Sequence, residues 1–123
     1  MPYSNLTDED IIESADKFFN WLQRKYPVED VKINATYRSS AYIRKKGRTA
    51  EIQSNGRVAE ILISIGRPAN EVLRSVAHEY KHVLQIYNEG IPIHKIRQKQ
   101  EFAAIGFAPY AIAEYIKEVG SNW

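Results

Sequence analysis

Five consecutive residues, His78-Glu79-Tyr80-Lys81-His82, place two imidazoles four positions apart with a carboxylate beside the first. On a helix, positions i and i+4 share one face, so both rings can hold a single metal ion. The glutamate projects next to that face, where it can take a proton from a metal-bound water. The five residues thus supply two ligands and a general base for metal-assisted hydrolysis, a pattern suited to zinc. The chain contains no cysteine, so any further ligand is His, Asp or Glu.

Catalytic zinc commonly has three protein ligands and one open position. No histidine stands six residues after His82, so the third ligand is either a carboxylate on the last helix or His94. Glu101 leaves room for a turn and a second helix to fold back over the metal face. Glu114 is the next candidate and Glu118 a weaker one. His94, beside Pro92, is a ligand, a stabiliser of developing negative charge, or a surface histidine. Tyr110, Tyr115 and Tyr42 are the other candidates for that stabilising donor.

The elements that must position these groups follow from pattern. A helix is expected from about Asp8 to Lys25, with Thr7 as N-cap, Asp10 completing a capping box and Leu6 with Ile11 as a hydrophobic staple. Ile11, Ala15, Phe18 and Leu22, widened by Ile12 and Phe19, form its core stripe. Val31, Ile33, Ala35 and Tyr37 alternate with polar residues as in a half-buried strand. Residues 41–53 are less regular, with a turn at Lys45-Lys46-Gly47-Arg48. Ser54-Asn55-Gly56 marks a hairpin. The most apolar strand spans about Val58 to Ile65. Pro68 opens a helix over about Ala69 to Tyr87, which Gly90 and Pro92 terminate. A last helix, or two with a kink near Pro109, covers about Lys95 to Val119. The order is an α+β domain with a small, mainly antiparallel sheet of three or four strands.

On the helix containing His78, with that residue at zero, His82 falls at about 40° and Glu79 at about 100°. Val72, Leu73, Val76, Ala77, Tyr80, Val83, Leu84 and Tyr87 cluster on the opposite side. The core face is already full, so the histidines are expected off the core. Their bland alternative is a pair of exposed polar positions.

A chain of 123 residues accommodates one domain, residues 1–123, with one core. A net charge of +2 is too mild to argue for nucleic acid. The first residues, MPYSNLTDED, do not form a signal peptide, and no apolar run approaches the length of a membrane span. The expected compartment is the cytoplasm.

The motif with Val83-Leu84-Gln85 after it, and then Glu101-Phe102-Ala103-Ala104-Ile105-Gly106-Phe107-Ala108, resembles the small phage and bacterial zinc metallopeptidases of the ImmA/IrrE type. The resemblance runs from about Val58 to the C-terminus. It implies a minimal zincin-like fold and a gluzincin site, with Zn²⁺ held by His78, His82 and Glu101 and with Glu79 as base. Their second motif looks like Glu-x-x-Ala-(Asp/Asn)-x-Phe-Ala, which Glu101, Ala104, Phe107 and Ala108 match. Ile105 departs from it. Many relatives have Asp or Asn there to hydrogen-bond a ligand histidine; here that support is absent or comes from another residue. In similar proteases the strand before the metal helix pairs with extended substrate backbone, so the strand at Val58–Ile65 is expected to do so. The implied substrate is a peptide or flexible protein segment, with specificity supplied by a regulatory partner surface or by proximity.

Two other classes compete. One is a zinc-bearing regulatory module that retains Glu79 without turnover. The other is a nucleic-acid or partner-binding protein that uses the basic hairpins of Arg44, Lys45, Lys46, Arg48 and Arg57 with Tyr42 nearby.

Overall fold

The computed structural model describes residues 6–38 and 50–120. Tyr42, the basic turn at 45–48 and any strand between 41 and 49 lie outside them.

Helix α1 (Asp8–Lys25) starts where the capping chemistry dictates. The Thr7 hydroxyl accepts from the Asp10 N–H and the Asp10 carboxylate accepts from the Thr7 N–H, each at 3.1 Å. Leu6 packs against the core cluster to which Ile11 belongs. The face made by Ile11, Ala15, Phe18, Phe19 and Leu22 is buried, and Trp21 joins it.

Strands β1 (Lys32–Arg38), β2 (Ala50–Asn55) and β3 (Val58–Ser64) form one sheet in the order β1-β3-β2. β2 and β3 make an antiparallel hairpin in which Asn55 pairs with Val58. Its two-residue loop is therefore Gly56-Arg57, one residue later than the Asn-Gly signal suggests. Gly56 has φ +61° at the first loop position, where a side chain would be strained. β1 pairs with β3 in parallel, from Lys32 opposite Val58 to Arg38 opposite Ser64. The sheet is mixed, which corrects the mainly antiparallel expectation. Residue alternation tells which face of a strand is wet but not which strand lies beside it. β1 takes the edge of β3 that the hairpin leaves open. β3 is consequently central, and Ala59, Ile61, Leu62, Ile63 and Ser64 are all buried.

Helix α2 (Ala69–Tyr87) carries the two histidines. Arg67 ties its start to the sheet, donating to the Ser64 carbonyl at 2.9 and 3.1 Å and to the Ser75 hydroxyl at 3.0 Å. Tyr80 donates its hydroxyl to the Tyr26 carbonyl at 2.5 Å, which anchors the helix to the end of α1. Gly90, with φ +72°, turns the chain away, and the Ile91 N–H returns to the Gln85 carbonyl at 3.0 Å. A short 3₁₀ turn (Ile93–Lys95) precedes α3 (Gln98–Val119), one helix that continues through Pro109.

Val72, Leu73, Val76, Ala77, Tyr80 and Val83 turn into the core that α2 shares with α1 and the sheet. α3 packs chiefly on α2. Its buried positions are Ala104, Ala108, Ala111 and Tyr115, spaced four, three and four apart. Three of the four are alanine, so the two backbones approach closely. Among the described residues no helix is long and apolar enough to cross a membrane.

Ala108→Leu forces extra volume into the α2–α3 contact and is expected to cost about 1–3 kcal/mol. Phe102→Ala on the exposed face is expected to stay within about 0.5 kcal/mol. Urea unfolding of the two variants beside the parent chain checks this pair.

Candidate metal centre

His78, Glu79 and His82 carry ligand atoms that all lie within 4.8 Å of one another. The two rings meet edge-on, with centroids 4.9 Å apart and planes at 82°. From α3, Glu101 brings Oε1 to 3.3 Å from His78 Nε2 and into direct contact with His82 Nε2. Two imidazole nitrogens from one helix and a carboxylate oxygen from the next thus converge on one place. The side chain of Glu101 is 49% exposed, so the place opens to solvent on the α3 side.

The histidines lie off the apolar core, as the helical wheel suggested, but they are not the exposed pair of the bland alternative. His82 is 4% and Glu79 6% exposed, with His78 half-buried. The apolar face of α2 does turn to α1 and the sheet, but α3 covers the other face, so the helix is buried on both sides. Burial pushes the His78 imidazole below its ordinary pKa; the nearby His82 ring adds to this and Glu101 opposes it. A ring held neutral offers its lone pair as a ligand.

One side chain orients this set and was not singled out by sequence. Gln85, 2% exposed, donates its Nε2 to the Gln100 carbonyl at 3.0 Å, while its Oε1 lies 2.7 Å from His82 Nδ1. A carbonyl only accepts, so the amide nitrogen is the end facing Gln100, and the amide oxygen faces the ring. His82 Nδ1 must then carry a proton. In the neutral ring, Nε2 is left as a lone pair aimed at Glu101. Two acceptors approach each other favourably only with a proton or a metal cation between them. Two imidazoles and carboxylates fit Zn²⁺, whose sites are built from N and O donors when cysteine is absent.

Glu114 and Glu118 are not at this site. Glu114 accepts from the Tyr26 hydroxyl at 2.5 Å, and Glu118 accepts from Trp21 Nε1 at 3.1 Å. Both also face Lys25, at 3.9 and 3.6 Å. At 1.5 Å per residue they stand roughly 20 Å or more along α3 from Glu101, on the contact with α1. Tyr115 is equally remote, packed between Phe18 and Trp21 at 5.0 and 5.3 Å. Tyr110 is exposed and about 180° around α3 from Glu101. His94 is exposed on the turn before α3. Ile105 is 57% exposed. Of the basic cluster only Arg57 is described, exposed in the β2–β3 loop.

No protein-family model, curated protein or solved structure matches this chain.

Zinc added to metal-free protein is expected to raise its stability, by about 2.7 kcal/mol at a hundredfold excess over Kd. Thermal denaturation with and without a chelator measures the rise. His82→Ala and Glu101→Ala should remove most of it. Glu114→Ala should leave it intact while lowering the stability of the metal-free chain.

Proposed function

We propose that this protein is a zinc-dependent endopeptidase of minimal gluzincin type, similar to the ImmA/IrrE-type enzymes. The observation that carries the reading is the meeting of His78 Nε2, His82 Nε2 and the Glu101 carboxylate at one partly open place. His78, His82 and Glu101 would hold the ion. When bound, zinc supplies Lewis acidity toward a water and toward the carbonyl under attack. Glu79 is buried beside His78, within reach of the same place. It takes the proton of the attacking water and delivers it to the leaving amine. Among the described candidates for a donor to the developing oxyanion, His94 is the one whose place in the chain keeps it near the start of α3; Tyr42 lies outside the described residues.

The expectation that Val58–Ile65 pairs with substrate does not hold, because β1 and β2 occupy both edges of β3. Among the described residues the outer edges of the sheet belong to β1 and β2, and α2, which carries the histidines, packs on β3 and β2. The proposed peptide site is the β2 edge, to which an extended peptide adds as a further strand. A substrate bound this way is a flexible protein segment rather than a folded domain.

Zinc-loaded protein is expected to cleave unfolded casein, with cleavage lost to a chelator and restored by zinc. Glu79→Gln should lower turnover by roughly 10²–10⁴-fold while zinc affinity is kept. Tight zinc binding with no cleavage of casein or of a mixed peptide library would overturn the peptidase and favour the zinc-bearing regulatory module.

A further inference from the structure

We infer that Gln85 is the positioning residue of the metal centre: its buried amide fixes the His82 tautomer and ties that ring to the start of the helix that carries Glu101. The inference rests on the metal-binding part of the proposed function and not on peptide cleavage.

The argument is one of hydrogen-bond polarity. Gln85 sits three residues after His82, on the same side of α2. Its two polar ends are spoken for by groups of fixed character. The Gln100 carbonyl can only accept, so it takes the Gln85 NH₂ at 3.0 Å. The remaining Oε1 can only accept, so at 2.7 Å it takes the proton of His82 Nδ1. That leaves His82 Nε2 free of a proton in the neutral ring, facing Glu101 Oε1. A metal-binding histidine needs this division of labour, with one nitrogen held by a hydrogen bond and the other presented to the ion.

The second consequence concerns the third ligand. Gln100 immediately precedes Glu101. Its side-chain Oε1 accepts from the Arg97 N–H at 2.9 Å, which fixes the first turn of α3. Its carbonyl, also in that turn, is the group that Gln85 holds. One amide therefore sets the ring of His82 and the backbone beside Glu101 together. The position where the resembling family has Asp or Asn is here Ile105, exposed to solvent. Gln85 provides the orienting bond from within α2 instead.

Three proteins separate this role from mere packing: the parent, Gln85→Met and Gln85→Glu. Met is close in shape, has no donor, and offers only a weakly accepting sulfur. Glu keeps an oxygen for His82 Nδ1. Both lose the amide donor to Gln100, so the metal-free stability of both, read by urea unfolding, is expected to fall. Zinc affinity, read by competition with a chromogenic chelator, is expected to fall about 10–100-fold in Gln85→Met and to stay equal or become tighter in Gln85→Glu. Equal affinity in Gln85→Met and the parent overturns the inference, as does a parallel loss in both variants. The tautomer gives an independent reading that needs no variant to fold. Long-range ¹H–¹⁵N correlation on the metal-free parent at alkaline pH should show His82 protonated at Nδ1 and bare at Nε2. The opposite tautomer overturns the inference. If the parent takes up no zinc, the proposed function fails at its metal-binding step, and the tautomer alone decides the part played by Gln85.

Discussion

Two helices can bring three lone-pair-bearing groups to one point only if their backbones run close together. Here the closeness comes from alanine. Ala104, Ala108 and Ala111 are fully buried on α3, and larger side chains there would hold the helix away from α2. The Glu101 side chain is short and leaves its helix near the first turn. Its carboxylate reaches His78 and His82 because the alanine contact has already removed the gap. The apolar face of α2 contributes from the other side. Tyr80 and Val83, which alternate with the motif residues, are locked into the core. The chemical face of α2 is thus aimed by the part of the same helix that does no chemistry.

Much of this was legible in the residues. The bounds of α1 and α2 follow from Thr7, Asp10, Pro68 and Gly90, whose roles are local and need no neighbour. Spacing left Glu101, Glu114, Glu118 and His94 open, and Glu101 was favoured by the family resemblance that Ala104, Phe107 and Ala108 carry. What the pattern did not carry depends on partners distant in sequence. The parallel pairing of β1 with β3 is one such case, because alternation in Val31, Ile33, Ala35 and Tyr37 is the same for either direction. The burial of His82 and Glu79 is another. A helical wheel registers one core face, and the second appears only once α3 is laid against it. Gln85 is a third. A glutamine three residues after a histidine is unremarkable until the Gln100 carbonyl fixes which end of its amide points where.

The residues that failed as ligands explain how α3 is held. Glu114 and Glu118 take the Tyr26 hydroxyl and the Trp21 indole N–H, so the C-terminal half of α3 is fastened to α1. Tyr115 packs into the same place, its ring tilted against Phe18 and edge-on to Trp21. Burial and the neighbouring Glu114 carboxylate push the Tyr26 phenol far above its ordinary pKa, so it remains a donor there. One end of the helix is therefore structural and the other is chemical. The alanines lie between them and transmit the position set at the structural end.

The Glu101 end of α3 is the more exposed one. Helix ends open most readily, and the first turn of α3 follows an exposed turn with few apolar contacts. The positive end of the helix favours the Glu101 carboxylate there. That carboxylate nevertheless faces the Nε2 lone pair of His82 in its neutral ring, and burial pushes the neighbouring His78 below its ordinary pKa. A cation at the meeting point turns this opposition into attraction on all sides. Its binding free energy then adds to the contact between α2 and α3 rather than to the sheet or to α1. The fold is complete without the ion, because α1, the sheet and the far half of α3 share a core that does not include it. A bound ion would instead join α2 to α3 at Glu101, one end of a contact that Ala104, Ala108 and Ala111 pack along its length.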